Sequence, residues 1–451
     1  LTVQGRTGGG PFPLRLEATA EHVDAGKILP LVMKENPRYR VMGNIEKAAF
    51  SGTAESPESL YGRLTSDIRK LSVLDEKAKR DILKDASLRS EVDLRGKDCT
   101  FTTDASVGKI EATVSGAAEQ FLSADRSVRL QVHLPETPAA EIRNSFWDVF
   151  PDSLLYAGLE GSLSSDLAVR YGKDGAVAEG SVSLKGFTLT GENGEYSVGP
   201  VSGTIPLTYG QAGGEATSSE MPAFDRPDFE ALSRQYAGEF RGEGYRRITI
   251  GSLRYGFRLL DDMTVWIKPG RGVLEIGRFS ANIFGGRMSG SAELDLTEGF
   301  RYRAGVVLEG MSLTRLCDEI EPIKGYISGM VDGVAMVKGS GGGIQGLIGK
   351  ADFWTYGTKQ EKTKISREFL RKVGGPSMKS YIGDRGFDKG EMGLYLQKGF
   401  VIFRELEISN RNFFGMQDLS VKVAPLSNKI SLEDLMWSMV QAAERAGKKG
   451  E

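Results

Sequence analysis

The strongest constraint on this chain is a two-residue alternation of apolar and polar side chains, which recurs in about twenty segments of the 451-residue sequence. In 286–296, Met288, Gly290, Ala292, Leu294 and Leu296 alternate with Arg287, Ser289, Ser291, Glu293 and Asp295. In 128–134, Val128, Leu130, Val132 and Leu134 alternate with Arg129, Gln131 and His133. In 162–171, Leu163, Leu167, Val169 and Tyr171 stand opposite Ser162, Ser164, Asp166, Ala168 and Arg170. Successive side chains of a strand point to opposite faces, so each segment predicts a strand with one apolar and one polar face. The polar sets predict solvent contact for Arg287, Glu293 and Asp295.

A larger unit recurs as well. An amphipathic strand runs into a short helix and then a Gly-led strand, starting near Leu14, Val128 and Tyr302. The Gly-led strands begin at Gly43, Gly161 and Gly329. The starts are unevenly spaced, which predicts a diverged repeat and not a fixed-period solenoid. Helices are expected at 23–34, 75–85, 137–149, 225–238, 312–320, 361–373 and 430–446. The last has Ser431 as N-cap, Asp434 three residues on, and an apolar stripe of Leu432, Leu435, Met436, Met439 and Val440. The polar, Gly-rich stretch 210–224 reads as a linker. The expected organisation is two repeat copies in 1–209, a linker loop and helix in 210–245, a third repeat in 246–429 and an amphipathic helix in 430–451.

Composition excludes several function classes. Glycine fills 58 positions and proline 16; without a Gly-X-Y period that glycine excess fits tight turns and bulges and not collagen. A net charge of −2 gives no whole-chain case for nucleic acid. There is no apolar run of membrane-spanning length and no charged-then-apolar signal segment. The first residue is Leu1 and not Met, which predicts a piece of a longer protein whose anchor lies outside it.

Chemistry is sparse. His22 and His133 are the only histidines, and Cys99 and Cys317 have no metal-type spacing. The two thiols are expected to be separate, with pairing in an oxidising compartment the alternative. Gly341–Gly346 matches G-x-G-x-x-G, but the following LIGKADFWTY reads as strand and not as the helix a dinucleotide site needs. Catalytic residues, metal ligands and cofactors are therefore all expected to be none. The segment 241–258 interleaves five arginines with Tyr245, Tyr255 and Phe257. It reads as a solvated strand, with contact to anionic lipid head groups and nucleic-acid stacking as the other readings. The basic stretch 359–379 reads as a helix covering the sheet, with a membrane surface as the alternative.

The runs FSANIFGGRMSGSAELDL (279–296), LEGMSLTRLCDEI with GYISGMVDGVAMVKGS (308–340) and LQKGFVIFRELEISNRNFFGMQDLSVKV (396–423) resemble the AsmA-like superfamily, the AsmA, TamB, YhdP and YdbH type of bacterial envelope protein. The resemblance is strongest over about 250–430 and diffuse from 10 to 210. It implies a mainly β fold: an elongated antiparallel β-groove, curled around a concave apolar face, with short flanking helices. It also implies a periplasmic protein held to the inner membrane by a segment absent here. The expected function is a lipid conduit or chaperone carrying phospholipid between inner and outer membranes, with no enzymatic step and no nucleic acid. The expected lining is Val128, Leu130, Val132, Leu163, Leu167, Val169, Met288, Leu294, Leu296, Val306 and Leu308. Expected partners are phospholipid, membranes at the ends of the full-length protein and an envelope protein. The alternatives are a scaffold for envelope-protein assembly, pairing client strands at open sheet edges, and a carbohydrate-binding β-protein.

Overall fold

A computed structural model describes residues 2–7, 13–27, 38–56, 59–121, 123, 126–149, 152–173, 175–192, 194, 196–210, 222–255, 257–270, 272–295, 300–320, 323–341, 344–374, 383–411, 417–422 and 429–434. The protein is mainly β. Twenty-two strands form one antiparallel sheet that does not close into a barrel, and a three-stranded sheet and a few short helices accompany it. The chain packs as two compact units, residues 1–189 with 204–214 and residues 190–203 with 215–451.

The first unit holds β1 (Thr2–Thr7), β2 (Leu14–Asp24), β3 (Tyr39–Ser56), β4 (Ser59–Asp75), β5 (Arg80–Gly96), β6 (Asp98–Val107), β7 (Ile110–Glu119), β8 (Ser127–Pro138), β9 (Gly158–Gly172) and β10 (Gly175–Thr190). From β1 to β9 each strand pairs antiparallel with the next. The chain passes to the second unit at the last residue of β10 and returns to the first within β11 (Tyr196–Gly210). The second unit continues with β12 (Arg246–Tyr255), β13 (Phe257–Pro269), β14 (Val273–Ile283), β15 (Gly286–Asp295) and β16 (Arg301–Ser312). After β17 (Ile327–Ser328) come β18 (Met330–Ser340), β19 (Ile348–Tyr356), β20 (Lys364–Ile365), β21 (Arg385–Gly386), β22 (Lys389–Gln397), β23 (Phe400–Arg411), β24 (Gln417–Lys422) and β25 (Lys429–Ser431). The small sheet is β17, β20 and β21.

Each repeated segment is a strand, a helical connection and the antiparallel partner strand. β2 leads into a helical turn at 25–27 and pairs with β3. β8 passes through α1 (Ala139–Ser145) to its partner β9. β16 passes through α3 (Leu313–Asp318) to its partner β18, while α2 (Phe229–Ala237) precedes β12. The connections are helical because an amphipathic turn closes the apolar end of a hairpin. Phe146, just past α1, packs on the cluster of Leu71, Ala86 and Val107 at the strand ends.

Two helix expectations fail. Residues 75–85 are the end of β4, a turn at 76–79 and the start of β5. Lys77 and Lys79 are good helix formers, but Asp75, 3 % exposed, takes both the Lys77 and Ala78 amides at 2.9 Å and a bidentate Arg38 at 3.0 and 3.1 Å. A buried aspartate that accepts the amides two and three residues on, while Arg38 holds it from β3's side, makes a turn and overrides helix propensity. In 361–373 the helix starts late. Ile365 is fully buried in strand β20, and α4 spans Arg367–Gly374. α4 seats Leu370 against Ile365, Phe387 and Leu419, so it covers a core. Ser431 accepts a hydrogen bond from the Asp434 amide at 3.2 Å. The rest of the expected helix 430–446, and 211–221 of the linker, lie outside the described residues.

Candidate functional site

Cross-strand partners in a sheet point to the same side, so the register lets whole rows of side chains be read across the strands. In the first unit one row runs Ala18–Phe50–Leu64–Val92–Phe101–Gly116–Leu130–Val169, apolar through eight strands. The row beside it runs Leu16–Gly52–Gly62–Leu94–Cys99–Ala118–Val128–Tyr171. On the opposite face a row runs Glu21–Lys47–Asp67–Arg89–Asp104–Thr113–His133–Asp166, alternating in sign across its first five strands. Neighbouring opposite charges favour this register, and a one-residue slip would move every apolar side chain to the charged face. A shallow depression of about 550 Å³ lies over Asp67, Arg89, Asp104 and His133. It presents charges of both signs.

The second unit has the same construction. Gly203–Ile248–Val265–Phe279–Gly290–Val306–Ala335–Ala351–Leu394–Phe403 is one apolar row through ten strands. Ala281–Met288–Leu308–Gly333–Phe353–Met392–Leu406 lies beside it.

Burial separates this arrangement from a two-sheet sandwich. A second sheet packed on the face would bury its large side chains as a core. In the first unit Phe50, Leu64, Val92, Phe101, Leu130 and Val169 are only half-buried. In the second unit Val265, Phe279 and Leu308 are buried, while Met288, Leu294, Val306 and Phe353 stay half-buried.

The expected lining residues fall into two groups. Val128, Leu130, Val132, Leu167 and Val169 share one face of β8 and β9, and Leu163 pairs with Thr137 beyond a register shift. Met288, Leu294, Val306 and Leu308 share one face of β15 and β16. The first group belongs to the first unit and the second group to the second. Leu296 lies outside the described residues.

The opposite face of the second unit corrects the expectation of bulk water. The segment 222–245 crosses it as a strap. Arg226 bonds Glu391 at 3.0 Å and lies 4.9 Å over the Trp354 ring, and Asp225 pairs with Lys350. Phe224, Leu232 and Tyr236 then pack on Val307 and Val334. Further along, Phe240 meets Tyr245 edge-on at 4.9 Å and Trp266 at 5.5 Å. Arg287 therefore donates to the Tyr236 carbonyl at 2.9 Å, and the Ser291 hydroxyl meets the Tyr236 hydroxyl at 2.8 Å. Glu293 pairs with Arg303 at 2.8 Å and Asp295 with Arg301 at 2.9 Å. All three expected outward residues are half-buried. The helix was legible at 225–238, but its landing place was not. Its signal was the helical spacing of Phe229, Leu232 and Tyr236, which demands an apolar partner.

Tyr245 is consumed by the strap's aromatic packing, so it offers no free face for stacked bases. Arg246, Arg247 and Arg254 are exposed. Side-chain oxygens of Glu391, Glu405 and Glu407 lie within 4.8 Å of one another, a spacing that suits a metal. Lys389 sits 2.8 Å from both Glu391 and Glu407, Lys422 sits 3.3 Å from Glu407, and Arg226 takes Glu391. Two ammonium groups and a guanidinium already hold Glu391 and Glu407, and the cluster reads as an ion-pair network. The thiols Cys99 and Cys317 are unpaired, and burial pushes both above the ordinary thiol value.

No family model matches the chain, and no curated protein or solved structure matches it either.

Proposed function

We propose that this protein holds acyl chains against the apolar face of its sheet and passes phospholipid along it. It would act as a periplasmic conduit or chaperone between inner and outer membranes, as the AsmA-like resemblance implies. The reading involves no catalytic step. The observation that carries it is the uninterrupted apolar row from Ala18 to Val169, whose large side chains remain half-buried. Exposed apolar area of that extent is a binding surface or a liability. Each methylene of a lipid removed from water contributes about 0.8 kcal/mol, and a featureless apolar row lets a chain slide without a specific contact to break.

Native mass spectrometry of the purified chain tests this. The expected result is co-purified phospholipid, released by mild detergent and reloaded from vesicles. A lipid-free protein that takes up no lipid from vesicles overturns the conduit and leaves assembly scaffolding, through the open edges of the sheet, as the better reading.

A further inference from the structure

One edge of the first unit carries a surface that neither the apolar face nor the charged row accounts for. The β4–β5 hairpin turns at 76–79, beside the start of β3, so that Tyr39 pairs with Asp75 and Asp75 with Arg80. Residues 38–42 and 70–86 together contain seven Lys or Arg against four Asp or Glu, in a chain whose net charge is −2. Two of the four acids are already neutralised. Asp75 is buried under Arg38, and Glu76 holds Lys79 at 2.7 Å. Arg40, Lys70, Lys77, Arg80 and Lys84 are exposed and make no ion pair among the described residues. The sequence hides this concentration, because the 38–42 and 70–86 stretches meet only through strand pairing.

Amphipathic side chains stand beside the cations. Tyr39 and Met42 are 37 % and 39 % exposed on β3. The turn Trp147–Val149, which packs beside β5, adds Trp147 at 39 % and Val149 at 41 %. Tyr156, 64 % exposed, meets the Trp147 ring edge-on at 5.8 Å. Register shifts between Ile68 and Leu71, Leu71 and Val73, and Val73 and Leu74 bend the end of the hairpin. Bulges at a strand end re-aim side chains, and here they fall where the lysines cluster.

We propose that this edge docks onto an anionic lipid bilayer. Exposed Lys and Arg draw an edge to an acidic surface, Trp and Tyr side chains settle at head-group depth, and apolar Met and Val side chains leave water there. A bare polyanion such as nucleic acid would use the cations but leave Trp147, Val149 and Met42 in water. The surface is separate from the apolar row, so this proposal stands or falls apart from lipid passage.

The test is vesicle co-sedimentation of the whole chain with phosphatidylcholine alone and with phosphatidylcholine containing phosphatidylglycerol. Binding to the anionic vesicles is expected to exceed binding to the neutral ones by at least about tenfold, and to weaken with salt. Lys77→Glu with Lys84→Glu is expected to abolish that preference. Both side chains are exposed, and circular dichroism checks the fold. Trp147→Ala is expected to reduce binding at high salt, where the charge contribution is screened. Equal binding to both vesicle types, or full anionic preference in the folded double variant, overturns the proposal. So does salt-sensitive binding of a single-stranded oligonucleotide without binding to anionic vesicles.

Discussion

Glu361 gathers both backbone and side-chain donors around one carboxylate. Its oxygens accept from Ser312 Oγ at 2.8 and 3.0 Å, Thr314 Oγ1 at 2.8 Å, the Gly329 amide at 3.0 Å and the Thr314 amide at 3.3 Å. It thus ties the start of α3 to the strand beyond it. Burial pushes its carboxyl up, but the hydrogen bonds from Gly329, Ser312 and Thr314 outweigh it, and the net shift is below the ordinary glutamate value. A carboxyl depressed in the fold contributes stability that is fully present above its unfolded pKa and is lost as pH falls through the depressed value. Glu361→Ala is expected to cost about 1–3 kcal/mol at neutral pH, because it strands buried donors. It should also flatten the acid limb of the stability curve. Urea denaturation of wild type and variant from neutral pH down to about pH 3 reads both effects. A variant that keeps the full acid limb assigns that limb to other carboxylates.

The two cysteines report at the same scale. Cys99 lies half-buried in the apolar row between Leu94 and Ala118, whereas Cys317, on α3, is 3 % exposed. N-ethylmaleimide is expected to add once to the native protein, at Cys99, and twice after unfolding. A charged maleimide should react more slowly at Cys99 than the neutral reagent, and peptide mapping by mass spectrometry checks the site. Labelling at Cys317 first, or not at all in the native state, would show that the face around Cys99 is covered.

At the scale of elements the strap decides how the second unit is built. Phe224 is 1 % exposed and lies over Gly305, where any Cβ would strike its ring. The glycine is there because a side chain at that point would lift the strap off the sheet. Phe224→Ala is expected to cost about 3–5 kcal/mol. Gly305→Val should cost a comparable amount by overpacking, and the pair should cost less than the sum because the valine partly fills the space. A double-mutant cycle by thermal or urea unfolding reads the coupling, and strict additivity would mean the two do not touch. The strap also marks the limit of what was legible. Alternation in 128–134 and 286–296 foretold strands and the split of their apolar and polar side chains, because one strand's pattern is local. Nothing local says that Phe224 lands on Val307, or that Arg287 and Ser291 lie under Tyr236. The 75–85 helix failed for the same reason, since Asp75 is buried by Arg38, 37 residues away.

Across the whole molecule, the apolar rows make one demand that a closed core would not. A carboxylate placed in a sealed core leaves a buried charge unpaired, costs several kcal/mol and unfolds the protein. A carboxylate placed on an open face reaches water, so the fold should survive while the acyl-chain passage proposed above would be blocked. Leu130→Asp in the first unit and Val306→Asp in the second are the probes, since both side chains are half-buried in their rows. The control must sit where charge is already tolerated. Ser291 fails that condition because it bonds Tyr236 under the strap, whereas Gln131 is exposed on the charged face of β8. Leu130→Asp and Val306→Asp are each expected to keep the native circular dichroism spectrum and to lower co-purified lipid by at least about tenfold, equivalent to 1.4 kcal/mol of lost affinity. Gln131→Asp is expected to change neither. Unfolding of both inner-face variants would mean that these rows are sealed core. Folded variants with undiminished lipid would place lipid on another surface and leave the apolar face to a protein partner.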